Sequence, residues 1–578
     1  MFLKSITRRS ALDIPDSLSG LDPVLQRIYT GRNIKSIEEV DLSMANLLDF
    51  HELKNIELAA TTLADIIMEQ QSVVIVGDFD ADGATSTALL MLAFKEFGLS
   101  NVCYVVPNRF DYGYGLSPEI VDEVAKLNPD WIITVDNGIS SFEGVQKAKE
   151  HGIKVMVTDH HLPPEKLPEA EVILNPNQDG DNFSSKSLAG VGVAFYLLIG
   201  LRAELRRRDY FNSSHIIEPN LAQWLDLVAL GTVADVVPLD RNNRIIVSAG
   251  LERIRRGHCR PAIRLLLQIA KRNAATIQAS DLGFAVGPRL NAAGRLEDMS
   301  VGIESLLANT EQEALPLVTE LDNLNHYRRE REQEMLEHAN QQVEHQLAVL
   351  QHERPNALCL YSEDWHQGIV GLVASRIKEK LNRPVIAFAK ENEMTLKGSG
   401  RSVAGIHLRD ALANVARLEP EILPKFGGHA MAAGLSINKA DFSKFSSLFE
   451  NEINRLVTEQ CIDDTIYTDG ALSASDFNLE FSELLNQAGP WGQNFPEPIF
   501  DNQFEVINQS IVGNKHLKFV LGIKEEGKHK SLDAIYFFPP EDYLNQRFQK
   551  VEVVYKLSIN EFRGEKSLQA IIEQIKEI

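Results

Sequence analysis

Five short apolar segments alternate with helix-like segments between residues 72 and 175. The apolar segments are residues 73–76, 102–106, 131–135, 154–158 and 172–174, and the helix-like ones include 118–126 and 142–150. Strands that alternate with helices are typical of a doubly wound parallel sheet. In such a sheet, ligands bind beyond the carboxyl ends of the strands. The pattern therefore predicts an α/β fold and the edge at which to look for a site.

Charged or metal-binding side chains follow three of these strands. They are Asp78, Asp80 and Asp82 after the first strand, Asp136 after the third, and Asp159, His160 and His161 after the fourth. Carboxylates held close together repel one another and are costly to keep ionised. We therefore expect cations at this edge of the sheet.

The segment Asp78-x-Asp80-x-Asp82-Gly83 also matches the start of an EF-hand calcium loop. An EF-hand needs glutamate at loop position twelve, where this chain has Leu89, and a helix before the loop. Here a β-branched apolar strand precedes it, so the EF-hand is excluded. A helix is expected from about Ala84 to Phe97.

The chain has 578 residues, which is too many for one hydrophobic core, so several domains are expected. A mostly helical stretch follows Gly190 and contains Asp235 inside an apolar run. A polar helix is expected from Glu311 to about Gln351, then a second α/β pattern, then short alternating segments typical of a small β-barrel. The predicted domains are residues 1–45, 46–310, 311–352, 353–462 and 463–578.

Composition excludes several classes of protein. The chain is 44% hydrophobic and 24% charged, as in ordinary globular proteins. No apolar run is long enough for a membrane helix, and the first residues do not match a signal peptide. Four widely spaced cysteines indicate neither a disulfide framework nor a thiolate zinc site, and favour the cytoplasm. The net charge of −23 argues against a broad nucleic-acid surface but not against a narrow basic channel.

The residues expected to bind metal share carboxylate or imidazole groups and lie at or near strand ends. They are Asp80, Asp82, Asp136, His160, His161 and Asp235, with Asp78 close by. This mixture suits manganese or magnesium better than calcium. Two ions about 3.5–4 Å apart would clamp a phosphoryl group and ionise a water. Taken singly, each aspartate is more often a helix cap or turn residue, and it is their conjunction at one sheet edge that favours a metal site.

Several short segments of the chain resemble the motifs of a known protein family. The segments DFDADG, VDNG, TDHH and GTVADVVPL resemble, in order and spacing, the motifs of the DHH phosphoesterase superfamily. GPRLNAAGRL, SEDWHQGIVGLVASRI, SGRS and GGHAMAAG extend the likeness, over nearly the whole chain, to its single-stranded-DNA-specific exonucleases. The resemblance implies a DHH domain, a long connecting helix, a DHH-associated domain and a C-terminal OB-type barrel.

The resemblance also implies roles for individual residues. Asp80, Asp82, Asp136, His160 and Asp235 match the metal ligands, while Asp78 and His161 match catalytic positions. His161 is the better candidate for contacting the scissile phosphate. The implied activity is hydrolysis of single-stranded DNA from its 5′ end to mononucleotides, with two Mn²⁺ or Mg²⁺ ions.

Substrate contacts are expected from arginines and glycine-rich segments, because guanidinium groups and backbone N–H groups both bind phosphates. The candidates are Arg109, Arg289, Asn291, Arg295, Ser399, Arg401, Gly428 and His429. Arg401 is expected in a glycine-rich turn, and Gly428 and His429 just before a helix. A structural ion pair or an ordinary turn explains any one of them as well. The second lobe would hold the 5′ phosphate.

The aromatic residues of the barrel region are expected to be mostly core. Those available for stacking on bases are Phe504, Phe519, Tyr536, Phe537 and Phe538, with Tyr112 and Tyr114 near Arg109 as better candidates. Implied partners are single-stranded DNA with a 5′ end, a single-strand-binding protein and a DNA helicase; no membrane is involved. Three alternatives stay open: a phosphatase or short-oligonucleotide hydrolase, a non-catalytic DNA-binding scaffold, and an inorganic pyrophosphatase.

Overall fold

The computed structural model describes residues 4–9, 14–107, 115–349, 355–459, 465–525, 528–562 and 564–578. The chain divides into two compact units. The larger unit comprises Arg9–Asn325 and Asp469–Ile578, and the smaller unit comprises Met1–Arg8 and His326–Thr468. No helix among the described residues is both long enough and apolar enough to cross a lipid bilayer.

The strands are, in chain order, β1 Ser5–Arg8, β2 Val73–Gly77, β3 Val102–Val105, β4 Trp131–Val135, β5 Lys154–Thr158, β6 Val172–Leu174, β7 Leu358–Ser362, β8 Val385–Lys390, β9 Thr395–Arg401, β10 Lys425–Gly428, β11 Ala432–Asn438, β12 Thr465–Thr468, β13 Phe500–Val512, β14 His516–Glu525, β15 Lys528–Phe537, β16 Lys550–Phe562 and β17 Glu565–Glu577.

The helices are α1 Pro23–Thr30, α2 Ile56–Glu69, α3 Ala81–Glu96, α4 Pro118–Ala125, α5 Phe142–Glu150, α6 Gly190–Arg207, α7 Tyr210–Ser214, α8 Leu225–Ala234, α9 Arg241–Arg255, α10 Pro261–Ile269, α11 Ala279–Asp281, α12 Gly287–Leu296, α13 Ser300–Leu307, α14 Glu311–Val349, α15 Val370–Leu381, α16 Leu408–Leu418, α17 Phe442–Glu459, α18 Leu479–Gln487 and α19 Glu541–Asn545. A π-helical segment, Leu282–Val286, lies between α11 and α12.

A five-stranded parallel sheet in the order β3-β2-β4-β5-β6 forms the centre of the larger unit. Its strands are apolar on both faces because helices cover both sides. Val73 and Ile75 pack into the core that contains α3 and α6, whereas Val74 and Val76 pack into the core that contains α4 and α5. The predicted doubly wound α/β fold is confirmed.

The strand order reverses direction between β2 and β4. From β2 the chain continues to β3 on one side, and then to β4, β5 and β6 on the other. A reversal of this kind leaves a crevice at the carboxyl ends of the two central strands, where such folds bind ligands. Asp78 follows β2 and Asp136 follows β4, so both side chains lie at this crevice.

The last five strands close a barrel in the order β13-β14-β15-β17-β16. β15 and β17 pair in parallel and the other pairs are antiparallel. Phe504, Phe519 and Tyr536 are buried inside it, as expected for alternating core positions, whereas Phe537 and Phe538 are exposed. The barrel belongs to the larger unit.

The smaller unit contains a mixed sheet in the order β10-β11-β9-β8-β7. Two local predictions were wrong here. Gly428 ends strand β10, which pairs antiparallel with β11, so no helix follows it. Arg401 ends strand β9 rather than lying in a turn. Glycine-rich sequence in both places forms paired strands, because β9 and β11 hydrogen-bond along their whole length.

Helix α3 begins at Ala81, three residues earlier than expected. The reason is Asp80, whose carboxylate accepts hydrogen bonds from the backbone N–H groups of Asp82 and Gly83 and so caps the first turn. Asp82 and Gly83 are therefore helical. The long polar helix α14 has the predicted start, and its last described residue is Val349.

Candidate metal centre

The strand ends of the central sheet are in register. Gly77 pairs with Val135, and Val135 pairs with Thr158. The residues that follow, Asp78, Asp136 and Asp159, therefore emerge side by side at one edge. All three are buried. The sheet register alone brings together aspartates that are about 80 residues apart in sequence.

Two helix N-termini position the aspartates of helix α3. Asp80 caps α3 itself. Asp82 accepts hydrogen bonds from the backbone N–H groups of Gly190 (2.6 Å) and Val191 (2.9 Å), at the start of α6. The positive end of each helix dipole favours a carboxylate there. These bonds fix the orientation of Asp82 before any metal binds.

Close packing at this point requires glycine. A Cβ atom added to Gly190 would lie 2.6 Å from Cβ of Asp136, and one added to Gly231 would lie 2.9 Å from Oδ1 of Asp82. Both separations are too short for real side chains. Helices α6 and α8 can therefore approach the carboxylates only because glycine occupies these two positions.

Asp235 and His160 complete the cluster from opposite sides. Asp235 lies at the C-terminus of α8, where the helix dipole favours a cation. His160 places Nε2 3.1 Å from Oδ1 of Asp136 and 3.5 Å from Oδ2 of Asp235. One imidazole thus touches two carboxylates that come from different elements of the fold.

Three overlapping groups of side chains have ligand atoms within 4.8 Å of one another. These groups are Asp136 with His160 and His161, Asp82 with His160 and Asp235, and Asp78 with Asp80 and Asp136. The donors are carboxylate oxygens and imidazole nitrogens, a set that fits Mn²⁺ or Mg²⁺. His160 and Asp136 are each shared between two groups, so the cluster can accommodate two neighbouring ions.

Burial and mutual repulsion raise the pKa values of three carboxylates in this cluster. Burial, and then the charge of Asp80, raises the pKa of Asp82 to about 7. Burial, and then the charge of Asp82, raises the pKa of Asp136 and that of Asp235 well above their ordinary value. Mutual repulsion in a dry site disfavours the ionised forms, and divalent cations would remove that penalty.

Asp159 follows a strand end but is absent from the predicted site residues, and the structure places it in contact with His161. Its carboxylate accepts hydrogen bonds from the backbone N–H groups of Ile139, His160 and His161, and lies 2.7 Å from Nδ1 of His161. Burial alone would raise the pKa of Asp159, but the bond to His161 lowers it. Its position directly after a strand was the signal available in the sequence.

The contact between Asp159 and His161 also raises the pKa of His161. Burial acts to lower the pKa of His161, but the hydrogen bond to Asp159 and its charge raise it to about 9. Asp159 engages Nδ1, so Nε2 is the nitrogen from which His161 would donate to a substrate oxygen. In the metal-free protein His161 is therefore a hydrogen-bond donor.

The segment around α12 lies next to this centre. Asn291 accepts a hydrogen bond from the N–H of Ala81 (2.8 Å), so it supports the first turn of α3. Arg289 is buried, pairs with Asp322 at 2.8 Å and donates to the carbonyl of Ala285. Arg295 is partly exposed on the same helix. Of these, the contacts of Arg289 favour a structural role.

Four other predicted substrate contacts belong to the smaller unit. Arg401 donates to Oγ of Ser399 (3.1 Å), and a Cβ on Gly371, near the start of α15, would lie 2.8 Å from both side chains. Arg401 and Ser399 therefore adjoin a helix N-terminus, a favourable place for a phosphate. Gly428, with φ of 139°, ends β10, and His429 begins the turn to β11. Arg109, Tyr112 and Tyr114 lie outside the described residues.

Comparison with known proteins agrees with this geometry. The sequence matches the DHH family N-terminal domain over residues 72–232, the DHHA1 domain over 354–455 and the RecJ OB domain over 468–574. It is 49% identical over 573 residues to "Single-stranded-DNA-specific exonuclease RecJ" of Salmonella typhimurium, with 99% of each chain covered. For the Escherichia coli protein of the same name, the identity is 49% over 571 residues, with 99% of this chain and 98% of that one covered.

The chain belongs to the RecJ family. A crystal structure of RecJ in complex with Mn²⁺ from Thermus thermophilus resembles it with a TM-score of 0.79 at 28% identity, covering 100% of this chain and 79% of the other. The predicted resemblance and the predicted order of DHH domain, DHH-associated domain and OB barrel are confirmed. The assignment of individual site residues stays a prediction.

The raised pKa of Asp82 predicts a pH-dependent stability in metal-free protein. The folded pKa of about 7 exceeds the ordinary value of 3.8, so the folded state holds a proton that the unfolded state releases. The resulting contribution is present at low pH and is lost as pH rises from about 4 through 7. Melting temperatures of the wild type and of Asp82→Asn should therefore diverge, the wild type losing ground as the pH increases from 5 to 8.

Saturating Mn²⁺ should abolish that relative loss in the wild type, because a bound cation takes the place of the proton. The contrary result would be a difference in melting temperature that stays constant from pH 5 to 8 when a chelator is present. It would show that Asp82 does not lie in a cluster of mutually repelling carboxylates.

Proposed function

We propose that this chain degrades single-stranded DNA from the 5′ end to mononucleotides by metal-dependent phosphodiester hydrolysis. The observation that carries the proposal is the convergence of five aspartates and two histidines at one sheet edge. Relatives at 49% identity are named single-stranded-DNA-specific exonucleases, and a similar solved structure contains Mn²⁺. The domains we propose are residues 1–45, 46–310, 311–352, 353–462 and 463–578.

Two divalent ions, Mn²⁺ or Mg²⁺, would be held by Asp80, Asp82, Asp136, His160 and Asp235, with Asp78 beside them as a catalytic carboxylate. When bound, they supply Lewis-acid stabilisation of the phosphoryl oxygens and a water that ionises near neutral pH. The chain's own residues orient the substrate and move protons. His161, oriented by the hydrogen bond between its Nδ1 and Asp159, donates from Nε2 to a phosphate oxygen. This bond strengthens as charge develops on the oxygen in the transition state.

The 5′ preference is assigned to the smaller unit. Arg401 and Ser399 lie beside the N-terminus of α15, so a guanidinium, a hydroxyl and backbone N–H groups are available together. A terminal phosphate carries more charge than an internal phosphodiester, and this combination therefore favours a strand end. Recognition of the end makes the enzyme an exonuclease.

Partners follow from the substrate. An enzyme that acts only on single strands needs them to be exposed, which is the work of a DNA helicase, and in the cell such strands are coated by single-strand-binding protein. We propose both as partners and the cytoplasm as the site of action, since the sequence contains four widely spaced cysteines and no disulfide framework.

One assay separates this proposal from its alternatives. Single-stranded DNA labelled at the 5′ end is incubated with the protein and Mn²⁺. Mononucleotides released from long strands support the proposal. Cleavage of dinucleotides alone indicates a short-oligonucleotide hydrolase, binding without cleavage indicates a scaffold, and pyrophosphate hydrolysis without DNA cleavage indicates a pyrophosphatase.

Replacing Asp136 should abolish cleavage without unfolding the protein. Asp136 has φ of 61°, a conformation that asparagine tolerates well, so Asp136→Asn preserves the backbone and Asp136→Ala serves as a second variant. Loss of a shared ligand removes several kcal/mol of transition-state stabilisation, so kcat should fall roughly 10³-fold or more.

The matched control is Asp122→Ala, an exposed aspartate on α4 that pairs with Lys147. Its activity and circular dichroism should both equal those of the wild type. Near-normal cleavage by folded Asp136→Asn would remove Asp136 from the catalytic centre.

Replacing Arg401 should weaken the preference for a 5′ phosphate more than it weakens metal binding. Hydrogen bonds to a charged group contribute about 1.5–3 kcal/mol, so the ratio of kcat/KM on 5′-phosphorylated to 5′-hydroxyl DNA should fall roughly tenfold or more in Arg401→Ala. The control is Arg376→Ala, an arginine further along α15 that pairs with Glu379. An unchanged ratio in Arg401→Ala would exclude it from end recognition.

A further inference from the structure

The larger unit contains a pocket whose lining includes a residue next to Asp235 in sequence. Its volume is about 320 Å³, and its lining includes Val233, Val236, Phe284 and Trp491. Val236 directly follows Asp235 in sequence and Val233 precedes it by two residues, so this part of the lining lies close to a candidate metal ligand. Its other side comes from the segment that leads into the barrel. The reaction proposed above makes no use of this pocket.

Phe284 is the most unusual residue of the lining. Its side chain is 84% exposed, whereas its neighbours Leu282, Ala285 and Val286 are buried. It lies on the π-helical segment between α11 and α12, and such segments occur frequently at functional sites. The buried neighbours hold the backbone in place, so an aromatic ring is presented to solvent from a rigid support.

Val236 is unusual for a second reason. It has φ of 61°, a conformation that is strained for a β-branched residue, and it is 62% exposed. The strain is maintained by hydrogen bonds from the N–H of Asp235 to the carbonyl of Gly231 and from the N–H of Val236 to the carbonyl of Val233. The apolar side chain of Val236 is therefore held exposed to solvent, next in sequence to the candidate metal ligand Asp235.

The chemistry of the lining indicates what the pocket binds. Among the described residues that line it, Glu497 is the charged one, and it pairs with Lys556 at 3.1 Å, so the described lining offers no lysine or arginine for a phosphate. The side-chain amides of Gln278, Asn486 and Gln493 both donate and accept hydrogen bonds, and therefore suit the polar edge of any base. An apolar surface with an aromatic ring and amide groups matches a nucleobase.

We propose that this pocket seats one unpaired nucleobase of the DNA strand, with Phe284 as its stacking surface. The inference rests on the proposed function and adds a cause for strand selectivity. A base that stacks on Phe284 inside a pocket cannot also pair with a complementary strand. Single-strand specificity would then arise partly beside the metal centre, through recognition of the base rather than of the backbone.

A scan with abasic sites tests the assignment. A 5′-phosphorylated oligothymidine carries one abasic site, moved a position at a time from the 5′ end, and binding is measured by fluorescence anisotropy with Ca²⁺ in place of Mn²⁺. Base–aromatic stacking corresponds to roughly a tenfold or larger change in affinity. The wild type should show such an increase in Kd when the abasic site falls at one particular position.

Phe284→Ala should bind the intact strand roughly tenfold more weakly, and the abasic site at that position should then cause no further loss. Phe284→Trp should restore binding, because it restores the stacking surface. The control Ile217→Ala removes another strongly exposed apolar side chain (89% exposed) and should behave as the wild type. Phe284 is exposed, so its replacement leaves the core intact.

Two results would overturn the assignment: Phe284→Ala binding as tightly as the wild type, or an abasic penalty of equal size in both proteins. Either is expected if the pocket receives an apolar group of a partner protein instead. Hydrolysis by the wild type separates this failure from that of the proposed function. Wild type that degrades single-stranded DNA while Phe284 has no effect refutes only the base pocket, whereas wild type without hydrolysis refutes the parent proposal.

Discussion

Mutual repulsion among buried carboxylates is the constraint around which the larger unit is organised. Two unit charges about 4 Å apart repel by about 4 kcal/mol at an effective dielectric constant near 20, and five aspartates meet at this sheet edge. The fold lessens the cost with helix N-termini at Asp80 and Asp82. The pKa values of Asp82, Asp136 and Asp235 stay raised despite these contacts, so part of the repulsion remains. Bound divalent cations would remove it.

The scaffold explains how distant residues reach one place. A parallel sheet with strands in register aligns Asp78, Asp136 and Asp159, and the reversal of strand order between β2 and β4 opens the crevice they share. Helices α6 and α8 then close over the carboxylates where Gly190 and Gly231 permit contact. Within the larger unit, His161 and the pocket with the exposed ring of Phe284 are the proposed contacts for phosphate and base. Within the smaller unit, Arg401 beside a helix N-terminus is the proposed contact for the strand end.

Strand positions followed from the sequence because they depend on local patterns, and the aspartates after the strands indicated which edge of the sheet to examine. β-branched runs of four or five residues identified β2 and β4, and aspartates directly after them identified the edge. The glycine-rich segments did not follow, because glycine permits both turns and paired strands, and only long-range pairing between β9 and β11 decides. The role of Asp159 also required the structure, since its contacts with Ile139 and His161 depend on the folded loop. Phe284 gave no sequence signal, because exposure is a tertiary property.

The central claim is that this edge of the sheet holds a pair of divalent cations. Anomalous diffraction at the manganese absorption edge, from crystals grown with Mn²⁺, tests it most directly. Two peaks are expected, both within bonding distance of Asp136 and enclosed by Asp80, Asp82, His160 and Asp235. The absence of any manganese peak at these side chains, with the protein folded and Mn²⁺ in excess, would contradict it.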